Sequence, residues 1–118
     1  MAVYLANAFS PSMIPLSPGE AAQLCLRRLT VEEARRLLAQ GFECAIGHAS
    51  TAQLAAELLG VDTSGCQRRM IALQPGDTAV ILTLTFRPPE GRIYSYEELR
   101  ELLGQGRIGL WAVHRGPC

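Results

Sequence analysis

The stretch Phe42-Glu43-Cys44-Ala45-Ile46-Gly47-His48-Ala49-Ser50-Thr51 decides how the rest of the chain is read. Phe42, Cys44 and Ile46 alternate with Glu43 and Ala45, the period-two pattern of a half-buried strand that ends at Gly47. An amphipathic helix follows. Ser50 stands at its N-cap with Gln53 three residues on, and Leu54, Leu58 and Leu59 form an apolar stripe stopped by Gly60. His48 therefore falls in a strand-to-helix turn. The first amides of such a helix lack internal partners and carry the positive end of its dipole, worth about 0.3–1 kcal/mol to an anion placed there. Gly47, Ala49, Ser50 and Thr51 thus line a candidate anion site beside an imidazole. A histidine in a turn is more often a surface or capping residue than a catalyst, so other stretches must supply its partners.

Upstream, Val3 to Phe9 is a β-rich run followed by the turn Ser10-Pro11-Ser12. This brings Asn7, Ser10 and Ser12 to the C-terminal end of a strand, where they either form the turn or line a ligand site, as such ends do in α/β sheets. Residues 17–29 are ambiguous, since Ser17-Pro18-Gly19-Glu20 imitates a capping box while the residues after it alternate. A strand is predicted over 21–28, with a helical hairpin as the alternative. Thr30-Val31-Glu32-Glu33 is a second capping box, and Val31, Ala34, Leu37 and Leu38 give a helical face ending near Gly41.

Downstream, Arg69 to Leu73 and Thr78 to Phe86 are β-rich runs joined by Gln74-Pro75-Gly76-Asp77, which predicts a hairpin. In its second arm Val80, Leu82, Leu84 and Phe86 share one face, and Ile81, Thr83, Thr85 and Arg87 the other. Thr83, Thr85 and Arg87 lie in a row that either presents hydroxyls and a guanidinium to one ligand or is a solvated strand face. Pro88-Pro89-Glu90-Gly91 breaks the strand, and Ser95-Tyr96-Glu97-Glu98 opens a third helix that ends by Gly104 to Gly106. Ile108 to Val113, apolar on both faces, is the last strand, and His114 is given no role. The predicted class is α/β, a mixed sheet of about five to six strands with flanking helices, in a single domain over residues 1–118.

At 118 residues, 48% hydrophobic and 19% charged, the chain is long enough to bury roughly two-thirds of its unfolded surface and hold one core. Eleven basic residues, all arginine, balance eleven acidic ones, so the electrostatic footprint of a general DNA or RNA binder is missing. The all-arginine usage suits bidentate phosphate contacts and equally reflects genome composition. Cys25, Cys44, Cys66 and Cys118 are scattered without a C-x-x-C pair and are read as small core residues in a reduced, cytoplasmic setting, with no metal cluster. No leader segment and no membrane-spanning run is expected.

Tyr4-Leu5-Ala6-Asn7-Ala8-Phe9-Ser10, Ile46-Gly47-His48-Ala49-Ser50-Thr51-Ala52 and Arg87-Pro88-Pro89-Glu90-Gly91 together resemble the viral anti-CRISPR ring nuclease family, in the same order and with similar spacing over nearly the whole chain. The resemblance implies a cofactor-free, metal-independent phosphodiesterase. It would bind cyclic tetra-adenylate, the messenger of type III CRISPR complexes, across the interface of a two-fold homodimer and cut it into linear di-adenylates. It places the catalytic histidine at His48, the active-site arginine at Arg87 and the acidic residue at Glu90, with polar ligand contacts at Asn7 and Ser10. At Ser12 the better-known viral members carry asparagine, and Pro88-Pro89 also departs from their pattern.

The chemistry of the residues agrees. Cleaving RNA without a metal needs in-line attack by the ribose 2′-oxygen, stabilisation of the added negative charge and a proton for the departing 5′-oxygen. The ring carries its own nucleophile, Arg87 and the amides of Ala49 to Thr51 suit the phosphate, and an imidazole donates a proton near neutrality. A dimer axis through a ring of four nucleotides would set one His48 at each of two opposite phosphates. Two other functions fit the same residues: a non-catalytic sensor or sponge for the messenger, and a DNA-binding regulator, which zero net charge disfavours.

Overall fold

The computed structural model describes residues 1–118. The chain forms strand β1 (Val3–Ala6), a 3-10 turn (Pro11–Met13), β2 (Leu24–Leu29), helix α1 (Val31–Leu38), β3 (Glu43–Cys44), α2 (Ala49–Leu59), β4 (Thr78–Leu84), α3 (Tyr96–Gly104) and β5 (Ile108–Arg115). The five strands make one mixed sheet in the order β2-β5-β4-β1-β3. β1 runs parallel to β3 and β4, whereas β5 is antiparallel to β4 and β2. This is the expected α/β class with five strands, and residues 24–29 are a strand rather than half of a helical hairpin.

The centre of the sheet follows from apolar runs that face core on both sides. Ala79, Val80, Ile81 and Leu82 of β4 are all buried, as are Leu5 and Ala6 of β1 beside them. All three helices cover one face, where Leu5, Val80 and Leu82 meet Ala34 and Leu38 of α1, Leu54 and Leu59 of α2, and Leu99 and Leu102 of α3. The capping boxes read at Thr30 and Ser95 are both made: each hydroxyl accepts from the N–H three residues on, and Glu33 and Glu98 accept in return.

The predicted hairpin does not form. Both neighbours of β4 are other strands, β1 and β5, so no ladder position is left for residues 69–73. That segment keeps its alternation but lies across the second face of the sheet. There Ile71 and Leu73 pack with Met13, Ile14, Ala45, Ala79, Ile81 and Val113, while Met70 points outward. Its backbone is tied by Leu73 N–H to the Met13 carbonyl, 2.7 Å. Gln74 to Asp77 does turn the chain, organised by the buried Asp77 carboxylate, which accepts from the N–H groups of Ala2 and Gln74, each at 2.9 Å. His114, given no role from the sequence, sits inside β5, and its Nδ1 is 2.8 Å from the Thr78 hydroxyl.

The four cysteines are not free. Cys25 is bonded to Cys118 and Cys44 to Cys66, with Cα–Cα separations of 5.0 and 4.7 Å. Spacing along the chain conceals this because strand register makes the pairs: Cys25 lies opposite His114, four residues short of Cys118, and Cys44 sits on the edge strand beside the loop that leaves α2. Disulfides persist in oxidising compartments and in intracellular proteins of hyperthermophiles. The reading of these cysteines as reduced thiols is therefore overturned.

Candidate functional site

β1, β3 and β4 run in the same direction, so their C-terminal ends open on one side of the sheet, and the start of α2 lies there. The helix begins earlier than the capping pattern indicates. His48, not Ser50, is the N-cap residue, with extended backbone (φ −103°, ψ 124°) and no side-chain capping bond. Ser50 is already inside the first turn, and its hydroxyl donates to the Tyr94 carbonyl at 2.9 Å instead. The first intrahelical bond is Ala52 N–H to His48 C=O, 3.0 Å, which leaves the N–H groups of Ala49, Ser50 and Thr51 without helical partners. The first turn carries no acidic side chain, so nothing within the helix answers its positive end.

A cavity of about 250 Å³ opens at this helix end. Asn7, His48, Ser50, Thr51 and Thr83 line it together, and its walls are Leu54, Leu82, Phe86, Ile93, Tyr94 and Leu99. The imidazole is exposed at the rim rather than packed in hydrocarbon. Phe86 and Tyr94, which meet edge to face at 6.4 Å, were not singled out in the sequence; aromatics flanking the Pro-Pro-Glu-Gly loop were the available signal. Arg92 stacks over Tyr94 at 4.7 Å and pairs with Glu98. The backbone N–H of Ser95, with Arg92 adding to it, holds the Glu98 carboxyl below its usual range.

The other predicted residues lie elsewhere. Thr85 and Arg87 line a second groove of about 720 Å³ together with Phe9, Leu26, Arg28 and Trp111, and Thr83 borders both spaces. Arg87 is exposed and takes no part in the ion pairs of the chain. Trp111 is covered by the Arg28 guanidinium, 4.3 Å from the ring centroid. Gly109 allows this, since a Cβ there would meet Arg28 at 2.5 Å and Trp111 at 2.8 Å. Ser10 and Ser12 line neither space; their hydroxyls bond one another at 2.6 Å on the exposed 3-10 turn. Glu90 is exposed on the turn closed by Arg92 N–H to Pro89 C=O, outside both. Gly47 and Ala49 flank His48 through their backbone. One chain thus gathers Asn7, His48, Ser50, Thr51 and Thr83, and does not bring Arg87 or Glu90 into the same cavity. No group of three His, Cys, Asp or Glu side chains is placed to hold a metal ion, and no helix is long and apolar enough to cross a membrane.

A family model described as STIV B116-like matches residues 3–110. The chain belongs to the STIV B116-like family. Among B116-like relatives it is 31% identical over 103 residues to Uncharacterized protein 26 of Sulfolobus islandicus filamentous virus (isolate Iceland/Hveragerdi), covering 86% of this chain and 84% of that one. It is 32% identical over 111 residues to Uncharacterized protein ORF116 of Acidianus filamentous virus 1 (isolate United States/Yellowstone), covering 94% and 93%. The fold matches the solved structure of B116 of Sulfolobus turreted icosahedral virus with a TM-score of 0.70 at 30% identity, covering 96% of this chain and 98% of that one. The family match therefore spans the helix-end cavity and all of the groove beside it except Trp111 and Val113.

Proposed function

We propose that this B116-like protein is a metal-independent ring nuclease that binds cyclic tetra-adenylate between two copies of the chain and cuts it into linear di-adenylates. It would act in the cytoplasm of the cell, where it silences type III CRISPR signalling. The observation that carries this reading is the exposed imidazole of His48 at a helix N-terminus with free amides, sharing a cavity with Asn7 and Thr83. In the cleavage the ribose 2′-oxygen attacks the adjacent phosphorus, losing its proton to solvent, as the bond to the 5′-oxygen breaks. His48 donates the proton that the 5′-oxygen takes. The amides of Ala49, Ser50 and Thr51 hold the phosphate oxygens, and the product ends in a 2′,3′-cyclic phosphate. Two such cuts on opposite sides of the ring release two halves.

The second copy docks on the open half of the sheet. There Phe9 and Leu26 are 38% and 66% exposed beside the Arg28-covered Trp111, and no element of the chain covers these two apolar side chains. Arg87 emerges beside this face, where it meets a ring spanning the two-fold axis.

The test is incubation of the pure protein with cyclic tetra-adenylate in excess chelator, with chromatographic separation of the products. Linear di-adenylate is expected, and intact ring after prolonged incubation across several pH values rejects the reading. The placement of Arg87 and Glu90 outside the His48 cavity favours one alternative, a sponge that holds the messenger uncut. Stoichiometric protection of the ring without turnover identifies it.

A further inference from the structure

We infer that the Cys44–Cys66 disulfide is a positioning element for His48, clamping a crossing segment onto the turn that carries the imidazole. The inference rests on the catalytic reading of His48 given above.

The turn has little else to hold it. β3 is an edge strand of two residues, registered on β1 only through Tyr4↔Glu43 and Leu5↔Cys44. The last ladder bond before the turn is Ala45 N–H to the Leu5 carbonyl, 2.8 Å, three residues short of His48. Ile46 anchors the core side, and beyond it neither Gly47 nor His48 has a side-chain hydrogen bond. The loop that leaves α2 crosses directly over this point. A Cβ on Gly47 would stand 2.8 Å from the Arg68 Cβ and 3.4 Å from its Cα, so the chain at Arg68 rests on the Gly47 backbone. Between Cys66 and Leu73 the loop makes no backbone bond to the sheet; the Cys66 N–H bonds locally to Thr63, Arg69 makes only a long, 3.9 Å ion pair with Glu43 of β3, and the next backbone tie to another segment is Leu73 to Met13. The disulfide, two residues before Arg68, is the covalent link that keeps the crossing in place.

The other disulfide provides an internal comparison. Cys25–Cys118 lies on the opposite edge strand, β2, which is already registered on β5 along its whole length and lines up with nothing in the His48 cavity. Both bonds staple a sheet edge, but only Cys44–Cys66 lies next to the turn that carries the imidazole.

The experiment compares Cys44→Ala with Cys66→Ala against Cys25→Ala with Cys118→Ala, reading kcat and KM on cyclic tetra-adenylate and the NMR resonances of the His48 ring. Removing Cys44–Cys66 is expected to lower kcat about 10- to 100-fold with KM little changed, and to shift the His48 resonances. Removing Cys25–Cys118 leaves both as in the parent. Parent-like kcat and His48 resonances without Cys44–Cys66 overturn the inference. Should that variant not fold, Gly47→Ala, which pushes the crossing segment away with the bond intact, is read by the same resonances, and an unmoved His48 again overturns it. A parent protein that leaves the ring uncut rejects the catalytic reading alone, while the resonances still decide whether the disulfide sets the imidazole.

Discussion

An imidazole beside free helix amides can contribute by holding a phosphate or by supplying a proton, and His48→Ala separates the two. Ala49, Ser50 and Thr51 would offer their backbone N–H groups to the phosphate whatever the side chain at 48. The variant is therefore expected to lose about 10²- to 10⁴-fold in turnover, the usual contribution of a positioned acid, while titration calorimetry shows affinity for cyclic tetra-adenylate largely intact. An equal loss of affinity would instead make His48 a binding residue. Ser50 shows how a single side chain can read one way in sequence and another in space. Its spacing to Gln53 imitates a capping box, yet its hydroxyl is committed to Tyr94, forty-four residues away, and the helix starts without it.

Helices α1 and α3 each open on a closed capping box, and each carries a pH dependence with a definite sign. The Thr30 N–H holds the Glu33 carboxyl below its ordinary 4.5, and the Ser95 N–H does the same for Glu98. A carboxyl with a lowered folded pKa contributes stability that is present in full above the unfolded value and disappears as pH falls through the folded one. Denaturant midpoints measured below about pH 4.5 should thus fall less steeply in Glu33→Gln with Glu98→Gln than in the parent, because glutamine still accepts the bond but does not titrate. These caps were legible because every participant lies within four residues. So were the apolar faces of the helices and the doubly buried β4, since each is written as a local period. The absence of a hairpin at 69–86 was not legible: alternation in Arg69 to Leu73 records which side chains face inward, not whether the backbone enters a ladder, and β1 and β5 had taken both places. Within the site, Asn7, His48 and Thr83 could be nominated from strand ends and a helix start, whereas the separation of Arg87 from His48 depends on which side of the sheet each loop leaves.

At the scale of the molecule, helices cover one face of the sheet and a short turn with the 69–73 segment covers only part of the other. Leu26 stands on the uncovered part, 66% exposed, so Leu26→Glu should alter the stability of the single chain by no more than about 0.5 kcal/mol. It is nonetheless expected to convert the proposed dimer to monomers in sedimentation velocity, and an unchanged oligomer would move the interface elsewhere. The nested disulfides close loops of 22 and 93 residues, which chain-entropy reasoning values at roughly 3 and 4–5 kcal/mol. Urea midpoints should therefore drop on reduction with a dithiol, without reaching the sum of the two values because the shorter loop lies inside the longer. The longer link has a mechanical consequence as well. Pulled at residues 1 and 118, the oxidised chain can extend only over the residues before Cys25, about 90 Å of contour, where the reduced chain would extend to about 400 Å. An unfolding motor drawing on the segment at Cys118 grips the β2 edge in the same instant, and must draw two strands abreast through its pore before any of the sheet lets go.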